Sequence, residues 1–113
     1  LGRKKDMIIR KGYNLYPGIF ESTISKIPGI QECAIVGQYD DATEDEKVIL
    51  FIVKETNSTI SQSDIETRLR NGQYSIDAQA FPDAIIFINE LPRSGRSKKV
   101  SKAELRKNIT TTV

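Results

Sequence analysis

The sequence predicts an α+β domain: a small three-stranded sheet with packed helices plus an N-terminal β-hairpin. Three short segments rich in apolar and β-branched residues read as sheet strands: Cys33 to Val36, Lys47 to Glu55 and Asp83 to Ile88. Around them apolar residues recur at spacings of three and four, in Phe20–Ile24–Ile27, Ile65–Leu69 and Leu105–Ile109, which is the period of a half-buried helix. Gly, Pro and Asn mark the joints between these segments. Strands interleaved with helices on a small sheet fit a compact α+β or split-βαβ arrangement.

The elements follow in order. Met7, Ile8 and Ile9 form an apolar run ending at Gly12, with Asn14 and Pro17 beyond, a strand or hairpin followed by a turn. A short helix runs from Gly18 and stops at Pro28-Gly29. The strand Cys33–Val36 ends at Gly37, and Asp40 to Glu46 reads as a solvated acidic loop. Lys47 to Glu55 is the strongest strand, and its continuous apolar centre predicts burial on both faces. Asn57 and Ser58 open a loop before the helix of Ile65 and Leu69. Either Ser61 with Asp64 or Ser63 with Glu66 gives that helix a capping box, and Asn71-Gly72 ends it. Tyr74 to Phe81 is read as a further short helix, and Pro82 leads into the third strand. Pro92 to Lys98 is polar and basic and reads as a mobile loop. Ser101 and Glu104 form a capping box for the last helix.

Composition bounds the function. At 113 residues this is one domain, and its charged and apolar fractions are those of an ordinary soluble protein. No apolar run approaches the ~20 residues of a transmembrane helix, and the start lacks a signal-peptide pattern. A lone cysteine, Cys33, excludes an internal disulfide and points to a reducing cytoplasm. With no histidine and no cluster at ligand spacing, no metal site is expected. Leu1 is not a start methionine, so the chain reads as a piece of a longer protein.

Charge is unevenly laid out. Residues 2–11 carry five basic residues and one acid, and residues 92–107 carry seven and one; against a chain total of +2, residues 12–91 are left at about −8. Concentrated positive charge predicts an anionic partner: a phosphate, a nucleotide or a nucleic acid.

The two basic ends also carry motifs. In GRKKDMIIRKGYNLYPGIFE, the residues Gly2, Arg3, Lys5, Asp6, Ile8, Gly12, Asn14, Pro17 and Glu21 fill, without a gap, the hinge motif that opens the C-terminal domain of adenylate-forming enzymes. That superfamily comprises acyl-CoA synthetases, peptide-synthetase adenylation domains and firefly luciferase. Ile19 stands where many relatives carry Glu. About ninety residues on, LPRSGRSKKVSKAELRK resembles the same family's closing motif, with Lys99, Val100, Lys102, Leu105 and Arg106 in the matching places. Lys98 stands where the family has Gly, and one extra residue lies between Pro92 and Lys98. The chain thus resembles, over nearly its whole length, the C-terminal lid domain of an adenylate-forming ligase, residues 1–113, whose large N-terminal domain lies outside this sequence.

The resemblance implies a two-step reaction. A carboxylic acid and ATP form an acyl-adenylate and pyrophosphate, and the acyl group then passes to the thiol of CoA. It implies Lys99 as the catalytic lysine, with Lys98 as the alternative, and Gly95 in the mobile loop that lets it enter and leave. Lys5 and Asp6 would form the hinge, Arg3 and Asn14 would face the nucleotide, and Lys11, Gly12 and Tyr13 would line the thiol tunnel. ATP and Mg²⁺ would be held mainly by the N-terminal domain, the lid's partner within the same polypeptide.

Each residue also has a plainer reading. Gly12 serves a left-handed turn; Lys5 and the Lys98–Lys99 pair are solvated charges; Tyr13 and Tyr16 are packing residues; Cys33 is a small core hydrophobe. Two other functions fit the same residues: a ligase lid that loads an acyl-carrier protein, and a small basic nucleic-acid-binding module. The second is disfavoured, because residues 92–107 hold no aromatic side chain to stack on bases.

Overall fold

A computed structural model describes residues 7–94 and 99–112, with side chains for 7–93 and 100–107. The chain opens with a hairpin of β1 (Ile8–Arg10) and β2 (Tyr13–Leu15). Its two-residue turn places both Lys11 (φ 51°) and Gly12 (φ 82°) in the left-handed region. That pairing gives a type I′ turn, whose twist matches the flanking strands. Helix α1 (Pro17–Ile24) starts with Pro at its first turn, where the missing N–H would have had no intrahelical partner.

The central sheet has the order β3 (Ile30–Asp40), β4 (Asp45–Lys54), β5 (Ala84–Phe87), with β3 antiparallel and β5 parallel to β4. The parallel step needs a crossover, supplied by α2 (Gln62–Arg70) and a 3₁₀ turn at Ala78–Ala80. A second hairpin pairs β6 (Arg93–Ser94) with β7 (Lys99–Val100) and leads into α3 (Lys102–Thr112). The expected three-stranded sheet, packed helices and N-terminal hairpin are all present.

Strand β4 explains the layering. Val48 to Val53 are all buried, and successive side chains of a strand point to opposite faces. Val48, Leu50 and Ile52 meet Ile8, Ile24, Ile27, Ile65 and Leu69 from the first hairpin, α1, α2 and the turn after α1. Ile49, Phe51 and Val53 meet Leu91 and Leu105, so α3 covers the other face.

Both edges of the sheet are tied by side chains. The Glu21 carboxylate of α1 accepts the Ile35 N–H of β3 at 2.7 Å, and the Gln62 amide of α2 donates to the Ile85 carbonyl of β5. Such contacts occupy edge groups that would otherwise recruit another strand. Of the two capping boxes open to α2, Ser61 with Asp64 forms, each side chain bonded to the other's backbone N–H. The Ser61 N–H accepted by Asp64 is the main reason its carboxyl is held below the usual range.

Four expectations are corrected. The acidic segment Asp40–Glu46 is a loop only at 41–44; its ends are strand, and Asp45 and Glu46 accept backbone N–H groups from the first hairpin. The helix expected over Tyr74–Phe81 is a single 3₁₀ turn. Asp77 caps that turn, and Pro82 biases Phe81 to an extended backbone. The loop expected over Pro92–Lys98 begins as a strand, with Ser94 paired to Lys99. At Ser101 half of the capping box exists: its Oγ accepts the Glu104 N–H at 3.3 Å, while its own N–H donates to the Pro92 carbonyl at 2.7 Å. Among the described residues, no helix is long and apolar enough to cross a membrane.

Gly37 in β3 marks the tightest joint between the first hairpin and the sheet. A Cβ there would lie 2.9 Å from Ile8 Cγ1 and 2.7 Å from Glu46 Oε1. Gly37→Ala is expected to destabilise the fold by about 1–3 kcal/mol through overpacking, read as a lower urea midpoint with an unchanged m-value.

Candidate functional site

Each basic segment contributes to a hairpin, and both hairpins are fastened to β3 and its neighbours. In the first, the Ile9 N–H donates to Glu46 Oε2 at 2.6 Å and the Lys11 N–H to both Asp45 oxygens at 3.0 and 3.1 Å. Arg10 donates to the carbonyls of Gln79 and Phe81 and pairs with Asp83 at 3.0 Å. Asp83 in turn accepts the Val48 N–H of β4 at 2.8 Å. The hairpin is therefore held by its backbone and by Arg10, which leaves Lys11, Gly12, Tyr13 and Asn14 exposed at its tip and along β2.

Around that tip the surface is apolar and open. A groove of about 370 Å³ runs between Tyr13, Asn14, Tyr16 and Ile19 on one side and Asp77 and Gln79 on the other. Tyr13 is 53 % exposed and Ile19 66 %. The expectation that Tyr13 and Tyr16 are packing residues is thus corrected: in β2 only Leu15 is buried, Tyr13 is exposed beside the hairpin turn, and Tyr16 is exposed at the N-cap of α1.

In the second hairpin the Lys99 backbone lies in β7 opposite Ser94. Val100 packs beside Leu105 and Phe51. Arg93 pairs with Glu32 of β3, and Lys102 pairs with Glu21 at 2.9 Å. Arg106 Nε donates to the Gly37 carbonyl at 3.1 Å. Arg3, Lys5, Asp6, Gly95 and Lys98 lie outside the described residues.

This arrangement divides the motif residues by duty. Ile8 and Arg106 meet β3 at Gly37, and Glu21 and Lys102 form an ion pair against the same strand. These four join the two ends of the domain. Four of the basic residues that made the ends look anion-seeking (Arg10, Arg93, Lys102 and Arg106) hold internal acceptors instead. Sequence reading missed this because the acceptors are distant carboxylates and backbone carbonyls. Those commitments weaken the nucleic-acid reading, which needs the same cations for phosphates.

Cys33 donates its thiol to the Glu21 carbonyl at 3.5 Å. Burial foremost, with the Glu21 charge next, pushes that thiol up to about 12. A thiol held neutral is a poor nucleophile, in agreement with the packing role.

The fold and the two hairpins define a small α+β module that presents a glycine-turn tip and a lysine-bearing strand. The chain belongs to the AMP-binding enzyme C-terminal domain family, which matches residues 20–99. It is similar to the indoleacetate–CoA ligase of Aromatoleum aromaticum, 34 % identical over 108 residues, covering 96 % of this chain and 20 % of that protein. The long-chain-fatty-acid–CoA ligase of Escherichia coli O157:H7 is 35 % identical over 104 residues, covering 92 % of this chain and 18 % of that protein. Among solved structures, ATP-bound MatB from Rhodopseudomonas palustris superposes with a TM-score of 0.84 at 34 % identity, covering 96 % of this chain and 20 % of that one. The chain spans about a fifth of the length of these relatives.

Iodoacetamide at pH 8 is expected to leave Cys33 unmodified in the native protein and to modify it in urea, scored by intact mass. The neutral thiol favours the fold below its ordinary value near 9, and that contribution is lost as pH rises toward about 12. Cys33→Ala should flatten the fall in urea midpoint over that window.

Proposed function

We propose that this chain is the C-terminal lid of an ATP-dependent carboxylate–CoA ligase, partnered by a large N-terminal domain of the same polypeptide. The observation that carries the reading is the division of duty within the two motifs. Ile8, Glu21, Lys102 and Arg106 build the scaffold. Lys11 to Asn14 stand exposed on one hairpin, and the Lys99 backbone lies in another, outside the main sheet. Relatives named for acids as unlike indoleacetate and a long-chain fatty acid share this segment at 34 % and 35 % identity. That favours a lid which supplies the chemistry common to them, with acid choice left to the larger domain.

The difficulty of the first step is electrostatic, because an anionic carboxylate must approach an anionic α-phosphate. The Lys99 ammonium, with Lys98 as the alternative, is the proposed charge that neutralises both as they converge. The carboxylate oxygen bonds to phosphorus as the bond to pyrophosphate breaks, and pyrophosphate carries away the electron pair. In the second step the lid turns about Lys5 and Asp6, withdraws the lysine and brings the Gly12 tip to the thiol path. The thiol sulfur then attacks the acyl carbon, the sulfur loses its proton, and AMP leaves. Arg3 and Asn14 are proposed as nucleotide contacts, and Lys11 and Tyr13 as neighbours of the incoming thiol. Among the described residues no three side chains gather into a metal site; Mg²⁺ is assigned with the ATP phosphates to the larger domain. The lone free thiol supports a cytoplasmic location.

Carboxylate-dependent ATP–pyrophosphate exchange by the full-length polypeptide tests the assignment. Lys99→Ala is expected to lower it about 10²–10³-fold. Retention there with loss in Lys98→Ala would move the role to Lys98, and retention in both variants would remove the assignment.

Gly12→Ala is expected to cost about 1–2 kcal/mol for an alanine at positive φ, since its Cβ meets nothing within 4 Å in this domain. Beyond that cost, thioester formation from supplied acyl-adenylate should fall well below exchange activity, measured by product release in each half-reaction.

A further inference from the structure

Among the described residues the hairpin that carries Lys99 has two residue pairs, and an isolated two-stranded hairpin is marginal at best. The Ser101 N–H closes its base on the Pro92 carbonyl at 2.7 Å, and Val100 reaches the core beside Leu105. Two ion pairs then bracket it: Arg93 with Glu32 before the hairpin's far strand, and Lys102 with Glu21 just after it. The second is the more sheltered, with side chains 15 % and 22 % exposed against 42 % and 28 %, so salt and water weaken it less.

The anchor itself is rigid. Glu21 Oε2 accepts both the Lys102 ammonium at 2.9 Å and the Ile35 N–H at 2.7 Å. One carboxylate oxygen therefore joins α1, the outer edge of β3 and the first residue of α3. Lys102 lies three residues beyond Lys99. At ~3.4 Å per residue the intervening chain spans at most about 10 Å, so movement of Lys102 reaches the Lys99 backbone with little slack.

Resting on the adenylation reading above, we propose that Lys102 and Glu21 are positioning residues for the first half-reaction, setting where Lys99 is presented to the reacting phosphate. A displacement of about 1 Å at such a group can cost about 10²-fold in rate. The pair touches neither substrate; it acts through the chain that it pins.

The test uses the full-length polypeptide with Lys102→Met, Lys102→Arg, Glu21→Gln and Lys99→Ala. Lys102→Met keeps the apolar stem and removes the charge, and Glu21→Gln keeps an oxygen for the Ile35 N–H. Both are expected to lower kcat for ATP–pyrophosphate exchange about 10–10²-fold, with KM for ATP and thioester formation from supplied acyl-adenylate within about threefold. Lys102→Arg should restore most of the exchange. Equal loss in both half-reactions, unchanged exchange in Lys102→Met, or failure of Lys102→Arg to restore it would each overturn the proposal. Loss of exchange in Lys99→Ala alone would sink this inference and leave the adenylation reading standing. Full exchange in Lys99→Ala would sink the assignment of Lys99 and this inference with it.

Discussion

Val48 to Val53 fill β4 with side chains that alternate between the two faces of the sheet, and all six are buried. A strand of that kind needs cover on both sides. On one side the first hairpin, α1 and α2 supply it; on the other, α3 and the segment around Leu91 do. The first hairpin and α3 are thereby brought to opposite faces of one three-stranded sheet. Both contact β3, the strand beside β4.

At β3 packing and charge act together. Gly37 lets Ile8 approach on one side while its carbonyl receives Arg106 from the last helix. Two residues earlier, the Ile35 N–H meets Glu21, which also holds Lys102. A partly sheltered pair of this sort is a modest source of net stability, because desolvation offsets much of its attraction. Its geometric effect is larger: it ties α1, β3 and α3 into one body.

Motif residues in this domain divide along the same line. Lys11 to Asn14 stand exposed at the turn of the first hairpin and along β2, and the Lys99 backbone lies in the second hairpin. Scaffold groups from the same motifs are sheltered and paired. Motif membership alone therefore does not separate a residue that meets substrate from one that holds the frame.

Local chemistry makes much of the domain legible in the sequence. The unbroken apolar run of β4, the Asn71-Gly72 stop and the turn at Gly12 each depend on neighbours a few residues away, so spacing and residue type suffice to find them; the same spacing narrows the α2 capping box to two alternatives, of which Ser61–Asp64 forms. The motifs likewise point to Lys99 and Gly12 without coordinates. The length of β3 is not legible in this way: its polar ends become strand only because β4 offers a paired backbone from Asp45 to Lys54. Asp45 and Glu46 look like loop carboxylates until the first hairpin lays its N–H groups across them. Arg10, Lys102 and Arg106 look like free cations until partners 69 to 81 positions away arrive. Periodicity and capping are short-range and written in consecutive residues, whereas the pairing of a charge depends on which distant acceptor the folded chain sets beside it.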